Sequence, residues 1–288
     1  MAIYNNEMYF GNRNYMQWVP APQINYESSK RGFAATAGYL NGGQFVRRSA
    51  TGAKGYVLTW TLKSRDDIRA INDYADGVYG FGPTYFLDPF AMDKNLLPQY
   101  FATPALASAD APLLAGQYDE DRPSVLQTDP NNLGYPALTA TYQYDGSNPF
   151  NQVWIPIPFG FSLWVGAHGS ATGTAGVQVT PTTGPFTGGL PIAVPLRTVQ
   201  DPVRVDTRVN GNTYGGALIQ LKGAGTIRLS GVMAQVLPNG SLPQQGGFIS
   251  GQGNSGCSFV EEPTLTNYSA AIDKVGIAVN LVETEGWK

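Results

Sequence analysis

One cysteine and one histidine in 288 residues leave this chain poor in the side chains around which most metal and redox sites are built. Cys257 alone excludes an intramolecular disulfide framework and a Cys-x-x-Cys metal pair. His168 restricts any Ser–His–carboxylate triad or imidazole-bound metal to a single position, and no serine stands in a Gly-x-Ser-x-Gly elbow. Charge is scarce as well: 14% of residues are charged and the net charge is −3. The clustered basic surface that a phosphate backbone requires is missing, so no specific nucleic-acid binding is expected. The pair Arg47-Arg48, with Lys54 beyond it, reads as a solvated loop face. No run approaches the ~20 apolar residues of a membrane helix. The start, Met1 to Asn5, has neither a basic n-region nor an apolar h-region, so no signal peptide and synthesis in the cytoplasm are expected.

What the chain does have is glycine, proline and aromatic residues. Gly (35) and Pro (21) make about a fifth of it, while hydrophobic residues hold at 42% and aromatics at 12%. Enough apolar surface is present to offset the entropy of ordering, which argues against disorder. Frequent punctuation of short apolar runs predicts many short strands joined by turns.

The first ~100 residues carry one amphipathic helix. Ser64 caps it, Asp67 follows three residues on, Ile68, Ile71, Tyr74 and Ala75 recur at helical spacing, and Gly77 ends it. Before it, Tyr56, Leu58, Trp60 and Leu62 alternate with Val57, Thr59 and Thr61, the period of a strand with one heavy face. After it, Tyr79 to Pro98 is an aromatic stretch punctuated by Gly and Pro, with a strand at Thr84 to Leu87. A helix on one face of a mostly antiparallel sheet is the expected packing. The pattern weakens between Pro98 and Gly146, where Tyr118 to Pro123 is polar and turn-rich, which suggests a domain boundary near residue 100.

From Trp154 onward the chain reads as all-β. Phe161–Val165, Val177–Val179, Ile192–Val194, Val203–Val205, Ala217–Leu221 and Thr226–Val236 predict a sandwich or jelly roll. Pro156 and Pro158 remove two donors and place Trp154–Pro158 at a sheet edge. Leu265–Val275 has mixed helical character. Ile277, Val279 and Leu281 then alternate with polar or small residues, a last strand that must find an edge, either in the second domain or back in the first.

Each motif that suggests chemistry has a plainer reading. Gly251 to Gly256 spells GxGxxG, with Asp273 about 20 residues on, but the dinucleotide fingerprint needs a helix to follow, and Cys257 to Val260 is β-prone. No cofactor is expected. His168, between glycines, predicts a loop. The carboxylate clusters Asp66-Asp67, Asp119–Asp121 and Glu261-Glu262 are the only candidates for acid–base hydrolysis, and Asp67 is accounted for at the helix N-terminus. No catalytic or metal-ligating residue is assigned. Trp154, Trp164, Tyr214 and Phe248 form either sandwich core or a sugar-stacking platform, with Trp154, Trp164 and Tyr214 the candidates singled out.

Several segments together resemble one family. Met8 to Gly11, Met16 to Pro20, Tyr56 to Trp60, Gly80 to Phe90, Asn95 to Pro98, Gly256 to Phe259, Tyr268 to Asp273 and Val282 to Thr284 with Trp287 are similar to minor tail proteins of long-tailed actinobacteriophages, of the distal-tail type. The resemblance implies a mainly β fold: a ring-forming β-barrel or β-sandwich domain with one short helix, from residues 1–100 plus 263–288, and a peripheral galectin-like or carbohydrate-binding-module-like sandwich at 101–262. It implies a structural, non-catalytic virion protein at the distal end of the tail. That protein joins the tail tube to other tail-tip proteins, self-associates as a ring, by expectation a hexamer, and lets DNA pass through the lumen. Subunit contacts are expected at Tyr79, Phe81 and Tyr85, because an exposed aromatic edge needs a cover. The alternative is a carbohydrate-binding or hydrolytic tail accessory that contacts a host surface glycan.

Overall fold

The computed structural model of the chain describes residues 7–23, 27–31, 34–38, 44–48, 53–88, 91–104, 140–146, 150–183, 188–196, 202–209, 212–243, 247–269 and 273–284. It is mainly β, with two described helices. The acidic run Asp119–Asp121 lies outside the described residues.

One sheet runs in the order β2 (Met16–Pro20), β1 (Glu7–Asn12), β7 (Thr84–Phe86), β18 (Cys257–Phe259), β20 (Lys274–Glu283), β6 (Ala53–Ser64) and β3 (Glu27–Arg31), with β19 (Thr264–Ser269) also paired to β20. The alternation anticipated from Tyr56 holds: Tyr56, Leu58 and Trp60 are buried and Val57 is exposed. It breaks at Leu62, which is 57% exposed at φ +53°, because two residues of β6 oppose Gly276 alone where the register with β20 shifts. The sheet curls toward closure. Beyond β2 the Gln23 N–H donates to the Thr59 carbonyl on β6 at 2.8 Å, and the Trp60 indole N–H donates to the Pro20 carbonyl at 2.5 Å.

The helix α1 (Arg65–Ala75) lies on this sheet, its N-terminus capped by the Ser64 hydroxyl, which accepts the Asp67 N–H at 3.2 Å. Ile68, Ile71 and Tyr74 bury one stripe against Met8, Phe10, Val19, Trp60 and Ile277. The mixed character of Leu265–Val275 resolves as strand, since β19 and β20 form a hairpin, Leu265 opposite Ile277, that turns at Asp273 with φ +46°. The final strand returns to the first sheet. Val279 stands opposite Leu58 and Leu281 opposite Tyr56.

Arg47 and Arg48 lie in a strand rather than a loop: β5 (Gln44–Arg48) pairs with β4 (Ala34–Gly38). Because Arg31 is opposite Ala53 and Ala34 opposite Arg48, β3–β4 and β5–β6 are the two legs of one hairpin.

Between β7 and β18, which are neighbours in the first sheet through Thr84 and Cys257, the chain builds a sandwich. One layer is β13 (Val203–Asp206), β10 (Phe161–Ala171), β17 (Ala224–Pro238) and β8 (Ala140–Asp145). The other is β12 (Ile192–Val194), β11 (Gly176–Thr182), β16 (Gly216–Lys222) and β9 (Phe150–Pro156). The short hairpin β14 (Arg208–Val209) with β15 (Asn212–Thr213) follows β13. As Pro156 at its end requires, β9 is an edge strand. Leu163, Val165, Ala167, Ala234 and Val236 face Val153, Ile155, Val177, Val179 and Ile219 in one core.

That core also contains Leu87, Ala91, Met92, Leu96, Leu97 and, in α2 (Gln99–Ala102), Phe101. The division expected near residue 100 therefore falls inside a segment that packs on the sandwich. Past Leu229, where β8 stops, this segment takes over the free edge of β17: Val236 N–H donates to the Met92 carbonyl and Leu96 N–H to the Ala234 carbonyl. The first sheet is left after Phe86 and rejoined at Cys257.

Candidate functional site

Two of the aromatic residues singled out from sequence meet each other. Tyr85 on β7 and Trp154 on β9 pack edge to face with ring centres 4.7 Å apart, and both are buried. Arg13 lies against both rings, its guanidinium 5.4 Å from the Tyr85 centroid and 5.7 Å from that of Trp154, while its Nε donates to the Tyr85 hydroxyl at 2.7 Å. The Trp154 indole N–H donates to Thr182 Oγ1 at 2.8 Å, and Trp18 adds a second contact across the same joint, 6.0 Å from Phe161. Tyr85 is 1% exposed, so its ring is consumed in joining sheet to sandwich and presents nothing to a neighbouring subunit.

Tyr79 and Phe81 behave otherwise. Asn12, itself buried, donates from its amide to the carbonyls of Tyr79 and Gly80 and accepts the N–H groups of Asn14 and Tyr15, which ties the turn after α1 to the turn between β1 and β2. Tyr79 is half-buried, stacked on Tyr15 at 4.9 Å and tilted against Tyr74 at 4.7 Å. Phe81 is 89% exposed, beside Val78 at 64% and Tyr15 at 47%. Burial pushes the Tyr74 phenol above its ordinary pKa, and burial with the neighbouring Tyr15 does the same for Tyr9, so both rings stay neutral at physiological pH.

The three rings singled out for a sugar platform, Trp154, Trp164 and Tyr214, do not come together on one surface. Trp154 and Tyr214 are buried, at 3% and 7% exposure. Trp164 is half-buried on the outer face of β10, between the core residues Leu163 and Val165, and Arg204 lies over its ring at 5.6 Å. That arginine is held by Asp206 at 2.7 Å and by the Ser162 hydroxyl at 3.2 Å.

His168 lies within β10, not in a loop. Its neighbour Gly169 serves the bulge at which Ser230 is inserted opposite, where a Cβ would stand 2.0 Å from the Arg228 carbonyl oxygen. His168 Nδ1 and Ser230 Oγ are 2.6 Å apart, a pairing hidden in sequence by a separation of 62 positions. Ser230 is 3% exposed and donates to the His168 carbonyl at 3.2 Å, which fits a hydroxyl that fills a bulge.

The GxGxxG run is followed by strand β18 and not by a helix. Its glycines are demanded by close packing instead: a Cβ on Gly253 would stand 1.8 Å from the Leu96 carbonyl oxygen, and one on Gly251 2.5 Å from that of Leu97. Glu261 hydrogen-bonds Asn280, and Glu261-Glu262 are exposed. Among the described residues no three His, Cys, Asp or Glu side chains are grouped to hold a metal ion, and no helix is long and apolar enough to cross a membrane. An open groove of about 460 Å³ beside Ser170, Thr174, Gln178 and Leu196 is lined by no titratable or aromatic side chain. No protein-family model, curated protein or solved structure matches the chain.

Proposed function

We propose that this chain is a structural protein of the tail tip of a long-tailed bacteriophage. In this reading the curled first sheet with α1 is the assembly unit, and copies associate through it as a closed ring, six-fold by expectation, that joins the tail tube to neighbouring tip proteins. The sandwich is a peripheral module carried on that ring. The observation that carries the reading is the apolar cluster of Phe81, Val78 and Tyr15 on the two adjoining turns that Asn12 ties together, which is exposed in the single chain and fits a surface covered by a neighbour. A heterologous contact that closes by rotation gives a ring, and the sequence resemblance supplies the setting. The insertion of the sandwich between adjacent strands β7 and β18 supports the same division of labour, because it leaves the assembly unit formed by both ends of the chain.

Light scattering on the purified chain, together with electron micrographs, tests this. The reading predicts a closed ring of several copies that Phe81→Ser weakens. A particle of one chain's mass at every concentration would overturn it.

A further inference from the structure

Three of the four most exposed large apolar side chains among the described residues, Phe159, Leu190 and Leu242, lie at one end of the sandwich. The register puts them there. Pro156 opposite Gly216 and Gly216 opposite Thr182 end one layer, Phe161 opposite Pro238 ends the other, and the loops that carry the three side chains leave from these strand ends. The β14–β15 hairpin joins them, since the Tyr214 N–H just past it donates to the Thr207 carbonyl and the Tyr214 ring lies against Gly189.

The backbone at this end is prepared to leave water. Each of the three residues stands beside a proline, Pro158, Pro191 and Pro243, which has no N–H to desolvate. Other N–H groups of these turns are used within them: Phe161 donates to the Pro158 carbonyl at 3.1 Å, Asn239 to Gly160 at 2.9 Å, Ser241 to Pro238 at 2.9 Å and Gly189 to Pro181 at 2.6 Å. A turn closed on itself costs less to bring into an apolar phase. Charge is sparse and of one sign, because among the described residues of 157–160, 188–191, 207–215 and 239–243 the one charged side chain is Arg208. Its guanidinium lies 5.3 Å from the centroid of the Phe159 ring, and the nearest acid along that strand, Asp206, is held by Arg204 at 2.7 Å.

We infer that this end of the sandwich docks on the surface of a lipid bilayer that contains anionic phospholipid, with Phe159, Leu190 and Leu242 entering the boundary between headgroups and acyl chains and Arg208 at the level of the phosphates. A guanidinium laid on an aromatic ring lets the ring go deeper while the charge stays at the wet, anionic layer. The apolar side chains stand on separate turns. A stable protein partner needs about 800 Å² of contiguous complementary surface on each side, whereas a fluid bilayer closes around single tips. Three apolar tips and one cation give a reversible, peripheral attachment that spans nothing. The inference does not depend on the ring reading, which concerns the other unit of the chain.

Flotation of the full chain with vesicles of phosphatidylcholine plus phosphatidylglycerol, and with vesicles of phosphatidylcholine alone, tests it. The inference predicts that the parent floats best with the anionic vesicles and that the triple variant Phe159→Ser, Leu190→Ser and Leu242→Ser binds them about tenfold or more weakly, because the apolar area it offers is gone. Arg208→Gln is expected to weaken binding to the anionic vesicles and to leave the neutral ones unchanged. All four side chains are exposed, so each variant keeps the parent's melting temperature. Hydrogen exchange on the parent gives a readout that needs no variant: vesicles slow exchange in residues 159–161 and 239–242 and leave β6 and α1 unchanged. A parent that floats with neither vesicle, a triple variant that floats as well as the parent, or protection confined to other segments overturns the inference. So does a triple variant whose light scattering without vesicles differs from the parent's, since the tips would then be a protein contact. The ring reading is judged by the parent's own light scattering, so either can fail without the other.

Discussion

Asn95 faces Ala234 as one strand residue faces another: the Asn95 side-chain oxygen accepts the Ala234 N–H at 3.1 Å, and the next residue's N–H, that of Leu96, donates to the Ala234 carbonyl at 2.8 Å. The amide is fully used. Its nitrogen donates to the carbonyls of Val232 and Ile249 at 3.0 and 2.8 Å, and its oxygen also accepts the Leu97 N–H at 3.2 Å. One fully buried side chain thus completes the free edge of β17 and holds the incoming and outgoing segments of the inserted sandwich together.

Replacement of Asn95 by Ala leaves buried donors and acceptors unpaired in three segments and is expected to cost about 2–4 kcal/mol. Chemical denaturation monitored by tryptophan fluorescence measures it. A loss below about 0.5 kcal/mol would mean that water or a relaxed backbone replaces the amide.

The backbone of Asn95 receives the N–H groups of Gln252 and Gly253, at 3.0 and 3.1 Å. This close approach is what forbids a side chain at Gly253. Gly253→Ala is expected to destabilise by about 2–3 kcal/mol through overpacking. Gly82→Ala, at a position with nothing within 4 Å of an added Cβ, is expected to be neutral or slightly stabilising. Equal melting temperatures for the two variants would contradict the packing explanation of the GxGxxG run.

The joint between sheet and sandwich separates the tryptophans by role. Trp154→Ala removes a buried ring that packs on Tyr85 and Arg13 and is expected to cost about 3–5 kcal/mol, with the larger share lost from the contact between the two units. Trp164→Ala, on the half-buried outer face, is expected to cost less. Differential scanning calorimetry distinguishes them: Trp154→Ala splits one transition into two, and Trp164→Ala leaves one. The reverse pattern would place the joint elsewhere.

Glu283 is the described carboxylate whose pKa is raised, first by burial and against the opposing effects of the Lys54 and Ser255 N–H groups, which donate to it at 2.7 and 3.1 Å, and of the Lys54 charge. The sign follows from linkage. Between the ordinary carboxylate pKa of about 4.3 and the raised folded value, the native state holds more protons than the unfolded chain, so this contribution is complete below that interval and is lost as pH rises through it. Urea denaturation across this range, compared with Glu283→Gln, is expected to show the difference between the two proteins changing in the direction of lower parent stability at higher pH. A difference independent of pH would mean that Glu283 titrates normally.

The legibility of the chain divides along contact range. The helix at Arg65–Ala75 was readable because its cap and its apolar stripe are local, and the sandwich strands because alternation and turn residues are local too. That the last strand needed a partner was readable from the one-sided apolar face of Ile277, Val279 and Leu281, while the sheet that supplies it was not, because the pairing residues of β6 lie more than 200 positions away. The 87–102 segment was not, since Leu, Ala and Pro there follow no period and its partners at Val232–Val236 lie about 140 residues away. Tyr85 illustrates the same limit: an aromatic strand announces that it needs a cover, but not whether the cover is its own chain or another. At His168 the flanking glycines signalled a turn, and the strand won because glycine is what a bulge in a close-packed ladder requires.

The account stands or falls on the first unit being built from both ends of the chain, with the sandwich between. A truncation ending at Glu262 removes β19 and β20, and with them Val275, Ile277, Val279 and Leu281 from the core around Trp60. Its hydrogen–deuterium exchange, read segment by segment, is the direct measurement. The account predicts that β6, α1 and β1 lose protection while β10, β16 and β17 keep theirs, although the deleted residues are far closer in sequence to β17 than to β1. Full protection of β6 and α1 in the truncated chain would contradict it, and the first unit would then fold without the strand on which the assembly reading depends.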